Sequence, residues 1–132
     1  MLKKTITYID YNGNKRTEDF YFNLSKAELT EMEMSTTGGW TQWVERIVKA
    51  EDVATLSKLF KEIVLKAYGE KSLDGRRFIK SEELATAFSQ TEAYSNLYME
   101  LVTDAKAAAN FMNGIIPANS NTPASVVTPS NN

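Results

Sequence analysis

The chain carries 132 residues, with 15 lysines and arginines against 17 aspartates and glutamates, a net charge of −2, 42% hydrophobic residues, and neither cysteine nor histidine. This is one domain's worth of chain with enough apolar material for a core. The composition excludes disulfides, thiol nucleophiles, Cys- or His-ligated metals and every histidine-based triad, its balanced charge argues against nucleic acid or an anionic membrane as a partner, and no apolar run reaches the roughly 18–20 residues of a membrane span.

The first residues alternate with period two. Leu2, Ile6 and Tyr8 share one parity and Thr5 and Thr7 the other, which puts the two sets on opposite faces of a strand. So rapid an alternation is unlike the apolar centre of a signal peptide, and the expected location is the cytoplasm. Asp10 to Asn14 supplies a turn, with Gly13 able to take positive φ. Residues 15–22 resume the alternation, with Phe20 and Phe22 facing the same layer as Ile6 and Tyr8. Two strands alone are marginal in water, so the apolar side of this hairpin is expected to rest on helices. Its outer edge is a candidate for pairing with another chain.

Helix signals follow. Ser25 and Glu28 form a capping-box pattern, with Leu24 and Leu29 as the matching hydrophobic staple. This predicts a helix from 26 to about 34, ended by the break Ser35 to Gly39. Residues 40–49 predict a second short helix with Trp40, Trp43, Val44, Ile47 and Val48 on one broad face. Glu51 and Asp52 open a third, whose apolar set is Val53, Leu56, Leu59, Phe60, Ile63, Val64 and Ala67, with Gly69 as a left-handed stop. Asp74-Gly75, between Leu73 and Phe78-Ile79, reads as a small hairpin or tight loop. Ser81 with Glu82 and Glu83 opens the next helix, whose inner face is Leu84, Ala87 and Phe88. Thr91-Glu92 starts a last helix running to Gly114, with Tyr94, Leu97, Tyr98, Leu101, Val102, Ala105, Ala108, Ala109 and Met112 at helical spacing and Pro117 preventing continuation. Phe20, Leu56, Phe60, Ile63, Leu97 and Leu101 are the expected core.

The predicted fold is α+β, mostly α: an N-terminal antiparallel hairpin packed on a bundle of about five helices, with a small second hairpin and a disordered C-terminal tail. Residues 117–132 hold all 3 prolines and no charge, too little apolar surface to offset their ordering entropy. The expected division is a folded unit over 1–116 and a flexible tail over 117–132.

Few residues invite chemistry. Asp10 and Asp19 lie beside a turn and in a strand, with nothing to gather them into a cleft. Glu28, Glu31, Glu82 and Glu83 are accounted for by capping, first-turn electrostatics and solvation, and no carboxylate spacing matches a calcium loop. The expectation is no enzyme, no cofactor and no metal. Lys71, Arg76, Arg77 and Lys80 form the densest basic patch, which reads as a solvated turn, a grip for a phosphate backbone or a surface for an acidic partner. Trp40 and Trp43 read either as core or as a partner surface, because a short helix after Gly38-Gly39 is poorly placed to bury two indoles; Met32 and Met34 would give such a surface adaptable packing. The candidate protein-contact residues are therefore Met32, Met34, Trp40, Trp43, Arg76 and Arg77.

Three segments, MLKKTITYIDYNGNKRTEDFYFNLSKAEL, FKEIVLKAYGEKSLDGRRFIKS and TEAYSNLYMELVTDAKAAANFMNGIIP, resemble the tail assembly chaperones of long-tailed bacteriophages, the siphophages and prophages of Gram-positive hosts. The resemblance covers roughly residues 1–117 and includes no catalytic motif. It implies a non-catalytic protein of the host cell cytoplasm that binds the phage tape-measure protein, recruits major tail protein subunits for tail-tube polymerisation and is absent from the mature virion. It also implies a short form from which a frameshifted longer form can diverge near the tail. It carries over no site residue. Self-association is a further expectation, since a chaperone covering a long protein acts in many copies. The competing readings are a structural virion or tail-completion protein and a small nucleic-acid-binding regulator.

Overall fold

The computed structural model describes residues 1–35, 39–49 and 52–117. The expected tail beyond Pro117, Gly38 of the break and Glu51 lie outside the described residues. The described elements run β1 (Leu2–Ile9), β2 (Lys15–Phe22), α1 (Lys26–Glu33), α2 (Trp40–Lys49), α3 (Val53–Ala67), β3 (Tyr68–Lys71), β4 (Phe78–Ile79), α4 (Glu82–Ser89), α5 (Glu92–Thr103) and α6 (Ala105–Gly114).

β1 and β2 pair antiparallel from Leu2 opposite Phe22 to Ile9 opposite Lys15. This register puts Leu2, Ile6, Tyr8, Phe20 and Phe22 on one face, as the alternation predicts, and that face rests on the helices. Thr5 donates to Asp19 at 2.6 Å and Thr7 meets Thr17 at 2.9 Å on the solvent face. The sheet does not stop at two strands. β3 adds to β2 through Tyr21–Gly69 and Phe22–Tyr68, and β4 adds to β3, giving the order β1-β2-β3-β4.

Gly69 is therefore not the expected left-handed helix stop. It sits in β3 without positive φ, and its role is steric: a Cβ there would lie 2.7 Å from the Phe78 ring and 2.8 Å from the Ile79 carbonyl oxygen. The second hairpin instead turns at Gly75, with φ of 75°, where only glycine avoids a Cβ penalty.

Four of the five predicted helix starts have a side-chain cap. Ser25 and Glu28 form the reciprocal capping box, Asp52 accepts from the Thr55 amide, Ser81 from Leu84 and Thr91 from Tyr94. The expected last helix divides into two, raising the described helices to six. Asp104 leaves helical geometry, with φ of −133° and ψ of 103°, and its carboxylate accepts from the Lys106 and Ala107 amides. An Asp that caps a new helix gains the amide bonds that a mid-helix Asp forgoes. The break also resets the helical phase. Ala105 and Ala109, expected inside, are exposed, whereas Phe111, Met112, Ile115 and Ile116 are buried. Ala87 of α4 is likewise exposed.

The core is aromatic at its centre. Phe22 is fully buried and meets Tyr68, Phe88 and Phe111 with centroids 5.3–5.8 Å apart, while Tyr68 stacks on Phe88 at 4.2 Å. Offset and edge-on contacts of this kind add about 0.5–1.5 kcal/mol beyond burial. Phe60, Ile63, Leu97 and Leu101 are buried as expected; Phe20 and Leu56 are half-buried at its margin.

Candidate protein-contact site

The six candidate residues fall at two places. Met32, Met34, Trp40 and Trp43 lie where α1, α2 and α3 meet; Arg76 and Arg77 lie on the β3–β4 turn.

At the first place the structure decides between the two readings of the tryptophans in favour of core. Trp40 and Trp43 are each only 7% exposed and Met32 is 5% exposed. The indoles are three residues apart, so they share one face of α2, and they join the hydrophobic core with Leu29, Leu59 and Phe60. A short helix can bury both indoles here because α1, together with α3, supplies the apolar wall. Trp43 is also capped by the Arg46 guanidinium, 5.3 Å from its ring centroid, a stabilising cation–π arrangement. What stays outside is aliphatic: Met34 is 82% exposed, with Val48 and Val53 exposed at the end of α2 and the start of α3. Val48 was expected on the same apolar face but is exposed, while Ile47 in the same turn packs against the core, so Val48 lies at the flank of the covered face. A cleft of about 230 Å³ opens between these helices, lined by Glu28, Glu31, Met32, Ser35, Trp43 and Lys66.

The second place is a rigid turn. Ser72 Oγ donates to Asp74 at 2.7 Å, Asp74 accepts from the Arg76 amide at 3.0 Å, and Ser72 Oγ accepts from the Arg77 amide at 3.0 Å. Two backbone bonds, Ser72 N–H to Arg77 and Gly75 N–H to Ser72, close it. These bonds hold the Asp74 carboxyl below its usual pKa, the Arg76 amide contributing most. The turn projects Arg76 and Arg77 into solvent beside Leu73, the most exposed large apolar side chain described. A preorganised turn loses little entropy on binding. Leu73 was not among the sequence candidates, although its place beside Asp74-Gly75 is the signal that a turn, not a core, claims it.

The other two lysines of the basic patch are engaged elsewhere. Lys71 lies over the Tyr21 ring at 4.4 Å. Lys80 donates to the Asn23 carbonyl at 2.5 Å and to Glu28 at 2.6 Å, tying the end of β4 to the start of α1. Burial is the largest influence on Glu28 and raises its pKa, but the hydrogen bonds from Lys80 and Ser25 together outweigh it, so the carboxyl titrates below its usual range. On Lys80 burial outweighs the pull of Glu28, and the ammonium's pKa is lowered. The shift on Glu28 thus favours the charged pair and the shift on Lys80 opposes it. The close contacts on both oxygens of Glu28 decide for the charged pair, which works as a clasp.

The carboxylates do not converge. Asp10 accepts from the Asn12 and Asn14 amides and pairs with Arg16, Asp19 accepts from Thr5, and Glu28 belongs to the clasp. Among the described residues no group of three or more acidic side chains is placed to hold a metal ion, and no helix is long and apolar enough to cross a membrane. The arrangement offers contact surface: exposed aliphatic groups at the α1–α2–α3 corner and a cationic knob on the β3–β4 turn.

The model of a family described as phage tail assembly chaperone matches residues 1–126. No curated protein and no solved structure matches the chain.

Proposed function

The chain belongs to the phage tail assembly chaperone family, and from that premise we propose that it binds the phage tape-measure protein and promotes polymerisation of the tail tube by recruiting the major tail protein. In this reading it works without catalysis in the cytoplasm of a Gram-positive host, acts in several copies along the tape measure and is left out of the mature virion. Residues 1–116 are the chaperone unit and the segment from 117 is an appendage. The observation that carries the reading is the family match over residues 1–126.

The six candidate residues divide into two roles. Met34, Arg76 and Arg77 are exposed, so a partner reaches them without rearranging the fold. Met32, Trp40 and Trp43 act from beneath, by holding α1 and α2 in place. A cationic knob with an apolar neighbour suits a helical partner carrying acidic residues beside an apolar stripe.

Two measurements test this. Co-expressed with its phage's tape-measure protein, the chain is expected to keep that protein soluble and to co-elute with it. Mass spectrometry of purified particles is expected to detect the tape measure and not this chain. Abundant chain in the particles would replace the chaperone role with that of a structural or tail-completion protein.

A further inference from the structure

β2 is paired unequally. On one side it meets β1 along its whole length; on the other it meets β3 only at Tyr21 and Phe22. Lys15 to Phe20 thus present an open sheet edge, and among the described residues no backbone hydrogen bond reaches that stretch from outside the β1–β2 ladder. Lys15, Arg16, Thr17 and Asp19 are exposed and Glu18 is half-buried.

The charges on this edge are ordered. Lys15-Arg16-Thr17-Glu18-Asp19 reads plus, plus, neutral, minus, minus. An open edge is a template for another strand, and charge order decides which strand fits. We propose that this edge recognises a second copy of the chain, the two β2 strands pairing antiparallel about a two-fold axis at Thr17. In that register Lys15 opposes Asp19 of the second copy, Arg16 opposes its Glu18, and the two Thr17 side chains meet. The axis repeats each charge pair, so every charged residue of the stretch faces its opposite. Residues of like parity stay on one face, so both copies keep their helices on the same side of a continuous sheet.

The neighbouring registers are blocked. A slip that preserves the faces places either Arg16 against Arg16 or Glu18 against Glu18 at the centre, and like charges directly opposite are destabilising. A slip by one residue sets Thr17, whose backbone groups point out from the open edge, opposite a residue whose backbone groups are already directed at β1, so no ladder forms. The same charges that would guard an edge against arbitrary partners therefore leave one partner in one register. Within each copy Arg16 already contacts Asp10 and Glu18, so pairing extends an existing ion network. It contributes specificity more than strength, and the dimer is expected to be weak and sensitive to salt. This inference deepens the reading that several copies act together and rests on that part of it; binding of the tape measure by one copy does not depend on it.

Charge exchange in the full-length chain tests the proposal by sedimentation equilibrium at high micromolar concentration. Lys15→Glu/Arg16→Glu makes the edge wholly acidic, and Glu18→Lys/Asp19→Lys makes it wholly basic. Each variant alone is expected to lose dimerisation by about tenfold or more, and an equimolar mixture is expected to restore it as heterodimer. A monomeric parent, variants that dimerise as the parent does, or a mixture that stays monomeric would each overturn the proposal. If a charge variant fails to fold, Thr17→Cys in this cysteine-free chain provides the test. Mild oxidation is expected to give a covalent dimer much faster than with exposed Thr41→Cys on α2, and equal rates would overturn the pairing. Loss of tape-measure capture by a parent protein that still dimerises would instead count against the proposed function and leave this pairing standing.

Discussion

The aromatic centre beneath the sheet and the α1–α2–α3 corner bury side chains of the same kind by different means. At the centre, Phe22 meets rings from β3, α4 and α6, so each element locks several others. At the corner, two indoles hold one short helix against its neighbours, while Met34, Val48 and Val53 remain in water. The centre is closed on every side and serves the fold. The corner is closed on one side only, and its unburied half, with Met34, is one of the two places where contact is proposed.

Substitutions can break or sharpen that contrast. The largest effect is expected from Phe22→Ala, because a fully buried ring with three aromatic neighbours leaves a cavity they cannot all fill. Truncations of this kind cost about 3–5 kcal/mol, and a denaturant midpoint should fall accordingly with the transition still single. Trp43→Ala is expected next, at the low end of the same range, about 3 kcal/mol, because Trp43 sits at the border of the core. A fall near zero in its melting curve would return the indole to the surface that the sequence allowed.

The sequence made the centre easier to read than the corner, and the reason is physical. Period-two alternation placed Phe20 and Phe22 on the helix side of the sheet, because strand parity alone decides it. Side-chain chemistry fixed Ser25, Ser81 and Thr91 as caps. The fate of Trp40 and Trp43 was not local: their helix has one apolar face whether a neighbour covers it or not, and α1 decides that it does. The fate of Asp104 was also open, since an Asp at helical spacing reads as a solvated position until its own turn is seen to cap the next helix. The second hairpin was legible from Asp74-Gly75, but the start of its first strand at Tyr68 and its joining of β2 were not, because Tyr68 and Gly69 follow α3 without a break and only the Tyr21–Gly69 pairing reveals them. At the candidate site, Arg76 and Arg77 were legible from the Asp74-Gly75 turn, whereas the exposure of Met34 beside the burial of Met32 depended on where α1 ends.

The clasp between the two regions gives a smaller, pH-dependent effect. Glu28 titrates below its usual range in the fold, so its contribution is complete above the unfolded carboxyl pKa and is lost as pH falls through the lower folded value. Lys80 is lowered as well, which acts in the alkaline range and leaves the acid behaviour to Glu28. Denaturant midpoints of the parent and Glu28→Gln should differ most near neutral pH and converge only in acid below the lowered folded value. A gap that persists unchanged in acid would assign the clasp's effect to packing. The smallest effect is expected at Met34→Ala: an exposed residue after α1 should leave stability within about 0.5 kcal/mol, and a larger fall would mean that the corner is closed on both sides.

The exposed knob, and not the buried indoles, is proposed to make the direct contact with the tape-measure protein. Its most direct test is capture of that protein by full-length Arg76→Glu/Arg77→Glu, with the melting temperature recorded on the same sample. An unchanged melting temperature is expected, with binding weakened about thirtyfold, the cost of losing a contact worth about 2 kcal/mol. Undiminished capture by a stable double variant would contradict it.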